Sequence, residues 1–219
     1  MKRILVFFGG CSSEYGVSLQ SAHAVLTHMN RETLRPMPVG ITREGRWLYY
    51  PGPLSRLPAG DWQEDPSCVP CVLPPDRGRR ALLLSGGRAL EFDAAFPVLH
   101  GKNGEDGTLQ GLLELAGIPL IGCGTLSSAL CMDKDRAHKL AARAGVPSPR
   151  GAVFSAGTPE EEVAAAAERL GYPLFVKPVR AGSSFGVSRV EGPEGLAPAL
   201  EAALAHDSRV LLEEAVTGF

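Results

Sequence analysis

The chain has 219 residues, 44% of them hydrophobic and 21% charged, which is room for one large folded domain or two small ones. Its formal net charge of −2, with no basic block, excludes the electrostatic footprint of sequence-independent nucleic-acid binding. No apolar run reaches transmembrane length, and the run after Met1 stops at Gly9-Gly10, too short for a signal-peptide core, so the sequence predicts a cytoplasmic protein. Five cysteines (Cys11, Cys68, Cys71, Cys123, Cys131) include one lone CxxC pair, with neither a second pair nor histidines at ligand spacing. They read as reduced thiols without a shared role.

Residues 3–8, Arg-Ile-Leu-Val-Phe-Phe, form a continuous apolar run, as in a parallel strand buried on both faces. Gly9-Gly-Cys-Ser-Ser-Glu14 follows. A helix is predicted from about Tyr15 to Met29, with its apolar positions read at Val17, Ala24, Val25 and Met29. Strand, glycine-rich turn and helix open a doubly wound α/β sheet, in which ligands bind outside the carboxyl ends of strands. The turn is not Gly-x-Gly-x-x-Gly, and no Gly-Lys-Ser/Thr follows, which counts against a dinucleotide site and a P-loop. Glu14 reads either as dipole compensation at a helix start or as the holder of an ammonium group.

Met37 to Ile41 and Trp47 to Tyr50 read as strands. Residues 51–78, rich in Pro and Asp, read as a long irregular excursion carrying little. A small hairpin is predicted around Gly86-Gly87. Asp93 to Leu99 reads as another buried strand, ending on the polar, glycine-rich loop His100 to Gly107. A helix follows from Thr108 to Ala116, capped by Thr108 or Asp106 and closed by Gly117. His100 and Glu105 thereby reach the same sheet edge as Glu14. Pro119 to Ile121 reads as a fourth strand, Thr125 to Cys131 as a short helix, and Asp133 as the N-cap of a helix ending at Gly145.

The composition changes near 124–132, and Pro147 and Pro149 mark entry to a second unit with β-α-β-β-α-β order. Its centre is residues 174–190, two apolar runs around Gly182-Ser-Ser184-Phe-Gly186. Lys177 ends the first run, and Pro178 removes a backbone donor there. Free N–H groups in such a loop, beside a lysine, suit an anion. A plain β-hairpin with a surface lysine is the alternative.

Together these stretches resemble the D-alanine–D-alanine ligases, ATP-grasp enzymes of peptidoglycan synthesis. The resemblance rests on Gly9 to Glu14 with Val17-Ser-Leu19, His100-Gly with Gly104-Glu-Asp-Gly107 and Leu109-Gln-Gly111, Met132-Asp-Lys134, and Val176-Lys-Pro178 with Gly182-Ser-Ser184 and Gly186. Gly122 to His138 most resembles the vancomycin-resistance branch whose members join D-alanine to D-serine. The resemblance implies a Rossmann-like substrate domain at 1–128, the small ATP-grasp subdomain at 129–212, and the start of the remaining ATP-grasp part at 213–219. It implies that ATP phosphorylates the carboxylate of D-alanine and that a second D-amino acid attacks the acyl phosphate. Glu14 would hold the first ammonium group and link to Ser183, with His100 and Glu105 near the second substrate. Lys134, Lys177, Ser184 and Gly186 would hold the nucleotide phosphates. Glu213, Glu214 and the Val216 backbone would meet adenine. A homodimer is also implied.

Two positions depart from the family pattern: Gly16, where many members carry an acid, and Glu214, where many carry lysine. The family also continues beyond the length given, through its Mg2+ ligands. The expectation is therefore a truncated ligase, inactive as 219 residues alone. Competing expectations are an ATP-grasp ligase of another carboxylate, a non-catalytic nucleotide-binding module, and a Rossmann oxidoreductase.

Overall fold

The computed structural model describes residues 1–217. The chain divides into two compact units, one from Met1 to Ala129 and a second from Leu130. The first is built on β1 (Lys2–Gly9), whose apolar run is buried from Ile4 onward. Alternate side chains leave a strand on opposite faces. Leu5 and Phe7 therefore join one core with Leu109, Leu113 and Ala116, while Ile4, Val6 and Phe8 join another with Tyr15, Leu19, Ala22 and Leu26. Helix α1 (Tyr15–His28) covers one face of β1 and α3 (Thr108–Leu115) the other.

β1 pairs in parallel with β2 (Leu34–Ile41) and β7 (Ala94–Pro97). The sheet then continues antiparallel from β2 through β3 (Trp47–Tyr49), β4 (Val69–Val72), β5 (Ala81–Leu84) and β6 (Ala89–Glu91), in the order β6-β5-β4-β3-β2-β1-β7. The doubly wound part is thus confined to three strands. The hairpin at Gly86-Gly87 forms where the sequence placed it.

Four local expectations are corrected. The buried face of α1 is Tyr15, Ser18, Leu19, Ala22 and Leu26, and Val17 is 40% exposed. That set also has helical spacing, and hydrogen bonds bury Ser18, which hydropathy alone does not register. Residues 51–78 carry much more than expected. They hold α2 (Arg56–Ala59), a 3-10 turn at Trp62–Glu64 and strand β4. Trp62 is fully buried, and its Nε1 donates to the Tyr15 hydroxyl at 2.8 Å. Arg56 pairs with Asp61 and Asp65 around it. Pro119 to Ile121 makes only a single parallel bridge, Ala95 to Leu120. At α3 the N-cap is Gly107, and Asp106 Oδ1 accepts from Thr108 N at 3.0 Å.

Helix α4 (Thr125–Met132) spans the division between the units. The second unit continues with α5 (Lys134–Arg143), capped by Asp133, whose side chain accepts from Arg136 N. Then come β8 (Gly151–Ser155), α6 (Glu160–Leu170), β9 (Leu174–Pro178), β10 (Ser188–Val190), α7 (Leu196–Leu204) and β11 (Arg209–Glu214). The sheet order is β10-β9-β11-β8, all antiparallel. Leu174 and Val176 of β9 and Val210 and Leu212 of β11 pack on α6 and α7. By alternation Phe175, Lys177, Leu211 and Glu213 face the other side, away from those helices.

Candidate functional site

In the first unit β1 and β7 are parallel neighbours, so the loops leaving their carboxyl ends meet. Serines tie them together. Ser18 Oγ accepts from Gly9 N at 2.8 Å and donates to Val98 O at 2.5 Å. Ser12 Oγ accepts from Glu14 N at 3.2 Å and donates to His100 O at 2.8 Å. Gln110 Nε2 holds the far side of the second loop through Gly104 O at 2.7 Å.

This frame brings Glu14, His100 and Glu105 to one edge. Glu14 is the N-cap of α1 and only 3% exposed. A Cβ built on Gly101 would fall 2.1 Å from Glu14 Oε2, so the carboxylate rests directly on the Gly101 backbone. Glu105 Oε2 accepts from Gly101 N at 2.7 Å. The His100 ring lies between two partners, with Nε2 2.9 Å from Ser21 Oγ and Nδ1 3.8 Å from Glu105 Oε1. A buried carboxylate at a helix N-terminus is suited to an ammonium group.

The second unit gathers lysines around a loop. Lys134 opens α5; its backbone N donates to Val179 O at 3.1 Å and its Nζ to Ala181 O at 2.5 Å. Lys177 forms a salt bridge with Glu213, a carboxylate only 5% exposed. The other oxygen of Glu213 lies 4.0 Å from His138 Nε2. Residues 180–187 form the loop, in which Ser183 (φ 46) and Ser184 (φ 59) both hold left-handed backbone. Such conformations cost about 1–3 kcal/mol each and cluster at ligand clamps. The loop is anchored at its base, where Arg180 N and Nη2 each donate to Asp207 at 2.8 Å. Gly186 and the Phe185 ring lie against His206.

The remaining predicted residues lie apart from that lysine cluster. Glu214 sits on the helix-facing side of β11 and is taken up by Arg150, through N at 2.8 Å and Nε at 2.6 Å. The Arg150 backbone N–H and guanidinium hold its carboxyl below the usual carboxylate range. Val216 follows β11 and is 67% exposed.

Ser12, Ser21, His138 and Asp207 were not singled out from sequence. His138 was within reach of it, being four residues after Lys134 and so on the same helix face. Ser21 stands three residues after Ser18, another helical neighbour. Burial pushes the Cys71 thiol up to about 12, which makes it inert. Among the described residues no group of three or more His, Cys, Asp or Glu side chains gathers as metal ligands, and no helix is long and apolar enough to cross a membrane.

Two family profiles match, one described as D-ala D-ala ligase N-terminus over residues 3–123 and one as D-ala D-ala ligase C-terminus over residues 140–219. The vancomycin B-type resistance protein VanB of Enterococcus faecalis is 43% identical over 99% of this chain and 60% of its own length. A putative D-alanine–D-lactate ligase of Streptomyces coelicolor is 47% identical over the same shares, 99% and 60%. The crystal structure of the VanG D-Ala:D-Ser ligase from Enterococcus faecalis superposes with a TM-score of 0.88 at 49% identity, covering 100% of this chain and 64% of that one. The chain thus spans about 60% of the length of the curated relatives it matches. On these matches, the chain belongs to the D-alanine–D-alanine ligase family.

Proposed function

We propose that this chain is the substrate- and nucleotide-binding part of an ATP-dependent ligase that joins D-alanine to a second D-configured molecule. The observation that carries the reading is the Glu14 carboxylate, buried at a helix N-terminus and backed by the loop that bears His100 and Glu105. Glu14 binds the ammonium group of D-alanine and leaves its carboxylate free to react. An oxygen of that carboxylate takes the γ-phosphoryl group of ATP, and ADP leaves. The amine of the second substrate then attacks the acyl carbon, losing a proton, and inorganic phosphate leaves. His100 and Glu105 border the place of the second substrate.

Positioning and charge neutralisation supply most of the rate in phosphoryl transfer. Lys134 and Lys177 offer two ammonium groups to the nucleotide phosphates, and the backbone around Ser183, Ser184 and Gly186 offers N–H donors. Glu213 and the backbone of Glu214 and Val216 border the base. In this reading residues 129–212 form the small ATP-grasp subdomain, and 213–219 open the part that follows. Magnesium accompanies ATP as its counter-ion. Among the described residues no group of three or more His, Cys, Asp or Glu side chains gathers to hold it. Reliance on cytosolic ATP places the reaction in the cytoplasm.

Relatives named for D-serine and for D-lactate transfer make the second substrate the open variable. The test uses the full-length gene product with ATP, magnesium and D-alanine, alone and with D-serine or D-lactate, following phosphate release and product identity. A D-alanyl-D-serine product is expected in preference to D-alanyl-D-alanine. Ester formation with D-lactate would favour the second reading, in which a hydroxyl group replaces the attacking amine. No phosphate release with any of them would leave a nucleotide-binding module as the better account.

A further inference from the structure

The buried carboxylate of Glu213 stands between two basic groups, Lys177 on one oxygen and His138 at 4.0 Å from the other. Only one of these is a permanent cation. We propose that His138 is a positioning residue for the nucleotide, which takes over Glu213 when Lys177 is drawn to a phosphate. The inference rests on the nucleotide reading of the second unit.

In the structure Lys177 is committed to Glu213, with its side chain 25% exposed and its partner 5% exposed. A nucleotide phosphate brought to Lys177 competes with Glu213 for the same ammonium group. It also brings negative charge toward a carboxylate that water barely reaches, where repulsion is poorly screened. A second cation on Glu213 relieves both costs. His138 is 34% exposed, close enough to share the carboxylate and open enough to exchange a proton with solvent. Protonation turns its 4.0 Å contact into an ion pair, and the proton comes from water.

The other charged groups nearby are otherwise engaged. Glu213 faces His138 from β11 and Lys177 lies beyond it on β9. Lys134, one turn back on α5, donates to Ala181 O. On the same helix Arg136 pairs with Asp133, and Lys139 with Asp135, which also holds Arg209. His138 is therefore the side chain of α5 that stands beside the carboxylate Lys177 now holds.

The experiment measures ADP affinity by calorimetry with the full-length protein, from about pH 8 down to about pH 5.5, the span over which imidazoles gain a proton. Wild type is compared with His138→Gln and His138→Lys, and the titration of ADP itself is common to all three. Relative to His138→Gln, wild type is expected to gain roughly three- to tenfold in affinity on acidification, the size of one added charge pair near a protein surface. His138→Lys carries a permanent charge, so it is expected to bind more tightly than His138→Gln at about pH 8 and to show no such gain. The same pH dependence in wild type and His138→Gln would overturn the role of His138 and leave the nucleotide site standing. No ADP binding by wild type at any pH would overturn the nucleotide reading and this inference with it.

Discussion

The Oε2 atom of Glu14 occupies the space that a Cβ on residue 101 would need, 2.1 Å away. Gly101 also holds left-handed backbone, φ +70. Two demands therefore meet at one position: room for the carboxylate and a turn that returns Glu105 to the Gly101 N–H. Gly101→Ala is expected to displace Glu14 and to strain the loop by about 1–2 kcal/mol. On the proposed reading, the KM for the first D-alanine in the full-length protein is expected to rise by roughly tenfold or more, the equivalent of about 1.4 kcal/mol. Steady-state kinetics at saturating ATP reads this. A wild-type KM in a folded Gly101→Ala protein would remove Glu14 from the first-substrate site.

Trp62 fills the space above Gly40 on the parallel sheet; a Cβ at Gly40 would fall 2.2 Å from its ring. The same ring meets Phe8 edge-on, with centroids 4.8 Å apart. Trp62→Ala is expected to cost about 3–5 kcal/mol, as for other buried aromatic truncations. Gly40→Ala destabilises by overpacking, at about 1–3 kcal/mol. Urea unfolding measures both. Losses under about 1 kcal/mol would mean that residues 51–78 are no structural part of the first unit.

Trp62 also marks where the sequence stops being legible. The β1 run, the glycine-rich turns and the Asp133 cap could be read because each is fixed by local chemistry. Residues 51–78 show no periodicity; their order comes from a few anchors, Leu57 and Trp62, whose partners lie elsewhere in the chain, and the ion pairs of Arg56 with Asp61 and Asp65 within the segment. Hydropathy named the wrong face of α1 because Ser18 is buried by two hydrogen bonds rather than by apolarity. At the candidate site, Glu14 and His100 could be read as residue types in glycine-rich loops, and Lys177 as the end of a strand that leads into one. The Glu214–Arg150 pair was not, since residue 150 meets 214 only through the pairing of β8 with β11. His138 was passed over because its partner Glu213 lies 75 positions away (213 − 138).

The anchor of the 180–187 loop predicts a pH dependence. Burial pushes the Asp207 carboxyl up, but the Arg180 guanidinium and the backbone N–H groups of Arg180 and Arg209 outweigh it and hold the group below the usual carboxylate range. A depressed folded pKa stabilises above the unfolded value of about 4 and loses that effect as pH falls below it. Asp207→Asn is expected to cost about 1 kcal/mol at pH 7, with the difference from wild type shrinking toward pH 3. Urea midpoints at several pH values measure it. A difference that persists unchanged at pH 3 would show that the Asp207 charge is not what anchors the loop.

His100 is held from both sides, by Ser21 at Nε2 and by Glu105 at Nδ1. Each partner alone leaves the ring free to turn about the other contact. Ser21→Ala and Glu105→Gln are therefore expected to be coupled in their effect on the second substrate. Each raises the KM for that substrate by roughly three- to tenfold, and the double variant departs from the sum of the singles by about 0.5–3 kcal/mol, as residues sharing one network do. Ser21 contacts no other described partner through its hydroxyl, so Ser21→Ala stays within about 0.5 kcal/mol of wild type in stability. Kinetics with D-alanine and D-serine as second substrate, run on all four proteins, closes the cycle. Strict additivity would mean that the two contacts do not act through the His100 ring, and an unchanged KM in every variant would move the second substrate away from this loop.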